Sequence, residues 1–132
     1  MRRGFHTGYF VKYATGELSE PHRQALRDLA REDGLGVAHG LVIYELKTLG
    51  YRGALDGEDA EWLAGIVDDA CRVERALSNS FLDEAARLSH GNDLSMADAM
   101  MLATALRHDA DELYTTDTDL LAYDGPIEIV RV

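Results

Sequence analysis

The stretch Leu94-Ser95-Met96-Ala97-Asp98-Ala99-Met100-Met101-Leu102-Ala103-Thr104-Ala105-Leu106, followed by Leu113-Tyr114-Thr115-Thr116-Asp117, decides the fold class. Its first part predicts a strongly apolar helix over Ser95 to His108. Ser95-x-x-Asp98 at its start is a capping-box pattern, in which a hydroxyl serves a free amide of the first turn. Its second part, Leu113 to Thr116, is short and rich in aromatic and β-branched residues. It ends on an aspartate, as a strand does where it enters a turn. A buried helix feeding a buried strand is half of the unit that builds parallel sheets.

Outward from there the same alternation continues. Asp124-Gly125-Pro126 turns the chain into a last strand, Ile127 to Val132. Upstream, Phe5 to Tyr13 reads as a strand that Thr15-Gly16 breaks, running into a turn or short helix. Ser19 is a candidate N-cap, Pro21 falls in the first turn, and Ala25, Leu26, Leu29 and Ala30 form a helical stripe that Asp33-Gly34 ends. Leu35 to Ala38 is short, apolar and glycine-bounded, as a buried strand is, and Gly40 opens a helix to Gly50. From Gly57 to Leu77, Trp62, Leu63, Ile66, Val67, Ala70, Val73 and Leu77 recur at helical spacing and predict the longest helix. A helix over Ser80 to Ser89 and the loop His90-Gly91-Asn92-Asp93 complete the chain. Strands alternating with helices predict an α/β fold, a mainly parallel sheet flanked by helices, whose ligands bind beyond the carboxyl ends of the strands.

Composition narrows the function. At 132 residues the chain suits a single domain, 1–132, and 46% hydrophobic with 28% charged residues is globular rather than disordered. No apolar run reaches the roughly 18 residues of a membrane span, and Met1-Arg2-Arg3-Gly4-Phe5 lacks the apolar core of a signal peptide, so the expected compartment is the cytoplasm. The net charge of −11 argues against generic coating of nucleic acid. Such a field repels a polyanion unless bound cations, a local basic rim or high salt offset it. The lone Cys71 sits in an apolar pattern and reads as a core residue. His22, His39, His90 and His108 form no spaced pair of the kind that binds zinc, and Gly34-x-Gly36 lacks the rest of any phosphate loop.

Three carboxylates stand where a carboxylate needs a reason. Glu45 lies in Leu41-Val42-Ile43-Tyr44-Glu45-Leu46, a helix apolar around most of its circumference. Its neighbours three and four residues away include no cation, so burial there predicts a partner from elsewhere or a metal. Asp98 can cap its helix, and from the first turn it can also face the strand ends. Asp117 and Asp119 follow the strand Leu113–Thr116 directly. Carboxylates gathered from a helix, a helix start and a strand end suit hard cations such as Mg²⁺ or Mn²⁺. Such ions polarise a phosphodiester and lower the pKa of an attacking water.

Leu94 to Leu106, with Leu113-Tyr114-Thr115-Thr116-Asp117-Thr118-Asp119-Leu120, resembles the C-terminal signature of PIN domains, and more narrowly of VapC-type toxins. His6-Thr7-Gly8-Tyr9-Phe10-Val11 and the helix around Glu45 fall in matching order and spacing. The resemblance implies a PIN-like three-layer sandwich and a Mg²⁺- or Mn²⁺-dependent endoribonuclease cutting single-stranded RNA. It further implies a homodimer inhibited by a small cognate antitoxin. It places Glu45, Asp98 and Asp117 at the family's acidic, metal-binding positions, with Asp119 as an accessory carboxylate, Thr115 as a hydrogen-bonding residue and Thr7 beside the site.

One position departs from the family. Where the family carries an aspartate at the end of the first strand, this chain has His6, which replaces a charged oxygen by an imidazole nitrogen. His6 could bind Mn²⁺ or a softer metal, transfer protons near neutral pH, or mark an altered site. The competing function is therefore a PIN-fold binding module without catalysis, acting through a protein partner or RNA. A phosphatase with a similar strand-end site is the third reading, separable by turnover of small phosphoesters.

Overall fold

A computed structural model describes residues 1–29 and 36–132. In chain order the elements are β1 (Arg3–Phe5), α1 (Thr7–Thr15), α2 (Glu20–Leu29), β2 (Gly36–His39), α3 (Gly40–Tyr51), α4 (Gly57–Ala70), β3 (Cys71–Glu74), α5 (Asn79–Asn92), α6 (Met96–Arg107), β4 (Glu112–Thr115) and β5 (Glu128–Arg131). A short 3₁₀ turn, Asp119–Ala122, links β4 to β5. The strands form one sheet in the order β3-β2-β1-β4-β5, and all four pairings are parallel. This is the α/β class the sequence predicts.

The order contains a reversal that positions the site. From β1 the chain builds outward through β2 to β3, then returns to lay β4 on the other side of β1. The switch point lies between β1 and β4, and a crevice opens there beyond the strand ends. His6 follows β1 directly, and Asp117 lies two residues past β4.

The core explains why short strands suffice. Phe5, Val37, Ala38, Leu113 and Tyr114 are buried in the sheet, and Leu102 and Ala105 of α6 join Phe5, Tyr9, Phe10, Leu46 and Leu63 in one cluster. Each fully buried Leu or Phe contributes roughly 1.5–3 kcal/mol. Arg3, at the polar start of the central strand, is paired with Asp28 at 3.4 Å and with Glu112 at 3.3 Å.

Three expectations are corrected. Phe5 to Tyr13 is not a strand: β1 ends at Phe5, and Thr7–Thr15 is helical. A strand would send Tyr9 and Phe10 to opposite faces, whereas the helix turns both into the core, with ring centroids 4.7 and 6.0 Å from Phe5. The long helix from Gly57 ends at Ala70, because Cys71–Glu74 becomes edge strand β3 against β2, with Gly36 opposite Cys71. Gly36 permits that approach, since a Cβ there would stand 2.9 Å from Ala70 O and 3.0 Å from Cys71 Sγ. Leu77, counted in the helical stripe, is exposed, and α5 has the same 14 residues as α4, so α4 is not the longest. Third, α5 runs on through His90 to Asn92, and Asp93 ends it in the left-handed region at φ 54°. Ala30, the Asp33-Gly34 stop and Leu35 lie outside the described residues.

Candidate active site

His6 shapes the site before any carboxylate enters it. It is the N-cap of α1, with extended backbone, and its Nδ1 accepts the Thr7 N–H at 2.7 Å. A cap satisfies one of the free amides of the first turn and stabilises a helix by about 1 kcal/mol. Gly8 lets that turn sit against the end of β4, because a Cβ on Gly8 would overlap the Thr116 side chain. The ring of His6 is 8% exposed, and its Nε2 stands 2.8 Å from Asp98 Oδ1. The contact is close but oblique, so Nε2 has no partner with hydrogen-bond geometry.

Asp98 belongs to the first turn of α6, where Ser95 caps its amide at 3.3 Å, as the capping pattern predicts. Its carboxyl is 3% exposed and touches both His6 and Asp117. Burial alone would raise its pKa, but His6, Asp117 and Ser95 outweigh burial and bring it down to about 2. Asp117 moves the other way: contact with the Asp98 carboxyl raises its pKa first, burial adds to that, and the Asp119 amide opposes. One carboxyl of the pair is held ionised at its neighbour's expense. Two carboxyls pressed together need a proton or a cation between them.

Asp117 is anchored from below and above. Its amide donates to Thr115 Oγ1 at 3.0 Å, and its Oδ1 accepts the Asp119 N–H at 2.8 Å in a short side-chain turn. Thr115 is thus a buried support for the backbone of Asp117. Asp119 is exposed, outside the cleft lining, and serves Asp117 through its backbone.

Glu45 differs from the sequence expectation in burial. α3 is not apolar all round in the fold: Val42 and Leu46 are buried, Tyr44 is 65% exposed, and Glu45 is half-buried. Its Oε1 accepts the Thr7 hydroxyl at 2.8 Å, so Thr7 ties α1 to α3 across the cleft. Among the described residues no cation pairs with Glu45, in line with its helical neighbours.

His6, Thr7, Glu45, Asp98, Thr115 and Asp117 therefore line one cleft of about 520 Å³. Of its three predicted carboxylates, only Asp98 and Asp117 touch each other. Among the described residues no group of three or more His, Cys, Asp or Glu side chains is gathered to hold one metal ion. The Asp98–Asp117 pair fits a hard cation, because it brings together oxygen donors that otherwise repel. Glu45 stands across the cleft on Thr7. Lys12 and Glu17 also line the cleft and were missed in the sequence, since each looks like an ordinary surface residue of its helix or turn. Helical spacing from Gly8 would have flagged Lys12, had Thr7–Thr15 been read as a helix. Lys12 Nζ donates to the Val132 carbonyl at 3.1 Å. Cys71, given no role, is buried, and burial pushes its thiol up to about 12. Among the described residues no helix is long and apolar enough to cross a membrane.

No curated protein sequence matches the chain. Among solved structures, VapBC2 from Rickettsia felis, bound to a DNA fragment from its promoter, is similar at TM-score 0.71 and 14% identity, covering 100% of this chain and 99% of that one. VapC20 of Mycobacterium tuberculosis, a sarcin-ricin loop cleaving toxin, is similar at TM-score 0.67 and 22% identity, covering 98% and 99%. A toxin–antitoxin complex from Klebsiella pneumoniae follows at TM-score 0.64 and 18% identity, covering 96% and 99%. At these identities the likeness is one of fold. The PIN domain family model matches residues 7–126, from the first residue of α1 to the turn before β5, and the chain belongs to the PIN domain family.

Proposed function

We propose that this chain is a Mg²⁺- or Mn²⁺-dependent endoribonuclease that cuts single-stranded RNA, the toxin of a toxin–antitoxin pair. The observation that carries the reading is the pressed Asp98–Asp117 pair at the switch point between β1 and β4 of a PIN fold. Asp98 and Asp117 would hold the cation, with Glu45 facing them across the cleft. A cation bound there supplies charge neutralisation at the phosphodiester and a more acidic attacking water. Thr115 and the Asp119 amide keep Asp117 in place, and the Thr7 hydroxyl holds the Glu45 carboxylate in the cleft. Lys12 brings a positive charge to a cleft whose surroundings are acidic. The first turns of α1 and α6 open on the same cleft, and their partial positive charge favours a phosphate.

An antitoxin partner belongs to the same reading, supported by the toxin–antitoxin complex among the similar structures, and a homodimer is the further expectation that goes with it. RNA as substrate draws on the similarity to VapC20. The test is cleavage of RNA by purified chain, free of antitoxin, with Mg²⁺ or Mn²⁺. Asp98→Asn is expected to lower the rate by about 100-fold or more, since metal charge stabilisation amounts to several kcal/mol and each 1.4 kcal/mol is tenfold. No cleavage with either metal would remove the enzyme reading. It would leave the second reading, a binding module altered at His6, which the histidine at the strand end favours.

A further inference from the structure

The hydrogen bond that makes His6 a cap also fixes where its proton sits. Nδ1 accepts the Thr7 amide at 2.7 Å, so its lone pair is committed, and in the neutral ring the proton is on Nε2. That Nε2 is buried, belongs to a residue of the cleft lining, and lies 2.8 Å from Asp98 Oδ1 without an aligned partner. A ring nitrogen that carries a proton has no in-plane lone pair to give to a metal ion.

We propose that His6 is a fixed N–H donor of the cleft and not one of its metal ligands, so that a cation held by Asp98 and Asp117 meets only oxygen from the protein. The inference rests on the metal reading above. Its chemical consequence is selectivity: a set of carboxylate oxygens without imidazole favours Mg²⁺ and Mn²⁺ over Zn²⁺. A second consequence is affinity, because the Nε2–H lies against an Asp98 oxygen that a cation would use.

His39 shows that the device belongs to the backbone and not to the carboxylates. It ends β2, caps α3 by accepting the Leu41 N–H on Nδ1 at 3.0 Å, and likewise leaves a buried Nε2 unpartnered. The β1–β2 register, Gly4 opposite Val37, carried on by two residues sets His6 beside His39. Two neighbouring strand ends therefore impose the same tautomer.

Long-range ¹H–¹⁵N NMR of the unaltered chain reads the tautomer, and Mn²⁺ titration with pulsed EPR reads the ligands. His6 is expected to carry its proton on Nε2 with and without Mg²⁺, and bound Mn²⁺ to show no imidazole nitrogen coupling. His6→Asn, whose side-chain oxygen can still cap Thr7, is expected to bind Mn²⁺ at least as tightly as the parent. His6→Asp, which adds a carboxylate, is expected to bind about tenfold more tightly. An Nδ1–H tautomer, a nitrogen coupling, or a loss of about tenfold in His6→Asn overturns the proposal while leaving the metal site standing. If neither the parent nor either variant binds Mn²⁺, the metal reading falls and this inference falls with it. Should His6→Asn fail to fold, the tautomer and nitrogen-coupling measurements on the unaltered chain still decide.

Discussion

His6 and His39 are the same device placed in two different surroundings. Each stands at the end of a parallel strand, His6 just past β1 and His39 as the last residue of β2, caps the next helix through Nδ1 and has a buried Nε2. Around His6 the chain supplies Asp98, Asp117, Thr7 and an open cleft. Around His39 it supplies Phe81, stacked at 5.3 Å with nearly parallel rings, with Glu74 next to it across the β2–β3 pairing. Glu74 is engaged elsewhere, by the Ala76 amide at 3.0 Å and by His108 at 2.9 Å. The difference is topological. His6 sits at the switch point, where the sheet leaves a crevice, and His39 sits where β2 pairs with β3 and Phe81 of α5 stacks on its ring. Identical local chemistry becomes a site in one place and packing in the other.

The largest effect that separates the two regions is expected from Phe81→Ala. Phe81 is fully buried, stacks on His39, and carries the Arg107 guanidinium 5.1 Å from its ring centroid. Its removal should cost about 3–5 kcal/mol in urea unfolding. Mn²⁺ affinity of the folded variant should stay unchanged, because nothing in the cleft touches Phe81. A coupled loss of metal binding would show that the two strand ends are one unit. Gly8→Ala should act on the other side, by about 1–3 kcal/mol, since the added methyl must displace Thr116 at the mouth of the cleft. Here stability and RNA cleavage are expected to fall together.

That contrast also explains what could be read without the structure. Asp98 and Asp117 were legible because capping and strand-end rules are local, and those rules put them near the carboxyl ends of strands. The parallel sheet was legible from the alternation of apolar stripes. β3 was not, because Ala70, Val73 and Leu77 continue a helical spacing by coincidence, and only pairing with β2 breaks the helix at Cys71. α1 was hidden by its aromatic residues, whose strand preference is overruled by packing of Tyr9 and Phe10 on Phe5. The half-burial of Glu45 and its bond to Thr7 depend on how α1 crosses α3, a long-range fact with no sequence signature.

Weaker still is the effect of each cap. His39→Ala removes the acceptor for Leu41 and should cost about 1 kcal/mol beyond the lost stacking, whereas His39→Asn keeps an acceptor and should recover most of that. Both are measured by urea midpoint at pH 8.

The smallest difference is one of pH. Burial lowers the pKa of His39, against weaker upward pulls from the Ala76 backbone and Glu74. The folded chain then binds fewer protons than the unfolded chain once the pH falls below the ordinary imidazole value of about 6.5. The stability that His39 contributes is complete above that value and is lost as the pH drops through it toward the lowered folded value. The slope is at most about 1.4 kcal/mol per pH unit. Subtracting the pH profile of His39→Asn from that of the parent between pH 7.5 and about 5.5 should isolate this slope, because the carboxylates titrating at lower pH are common to both chains. A flat difference would mean that the ring beside Phe81 accepts a proton as readily as a free imidazole. The distinction between His39 and His6 would then rest on their neighbours' chemistry alone.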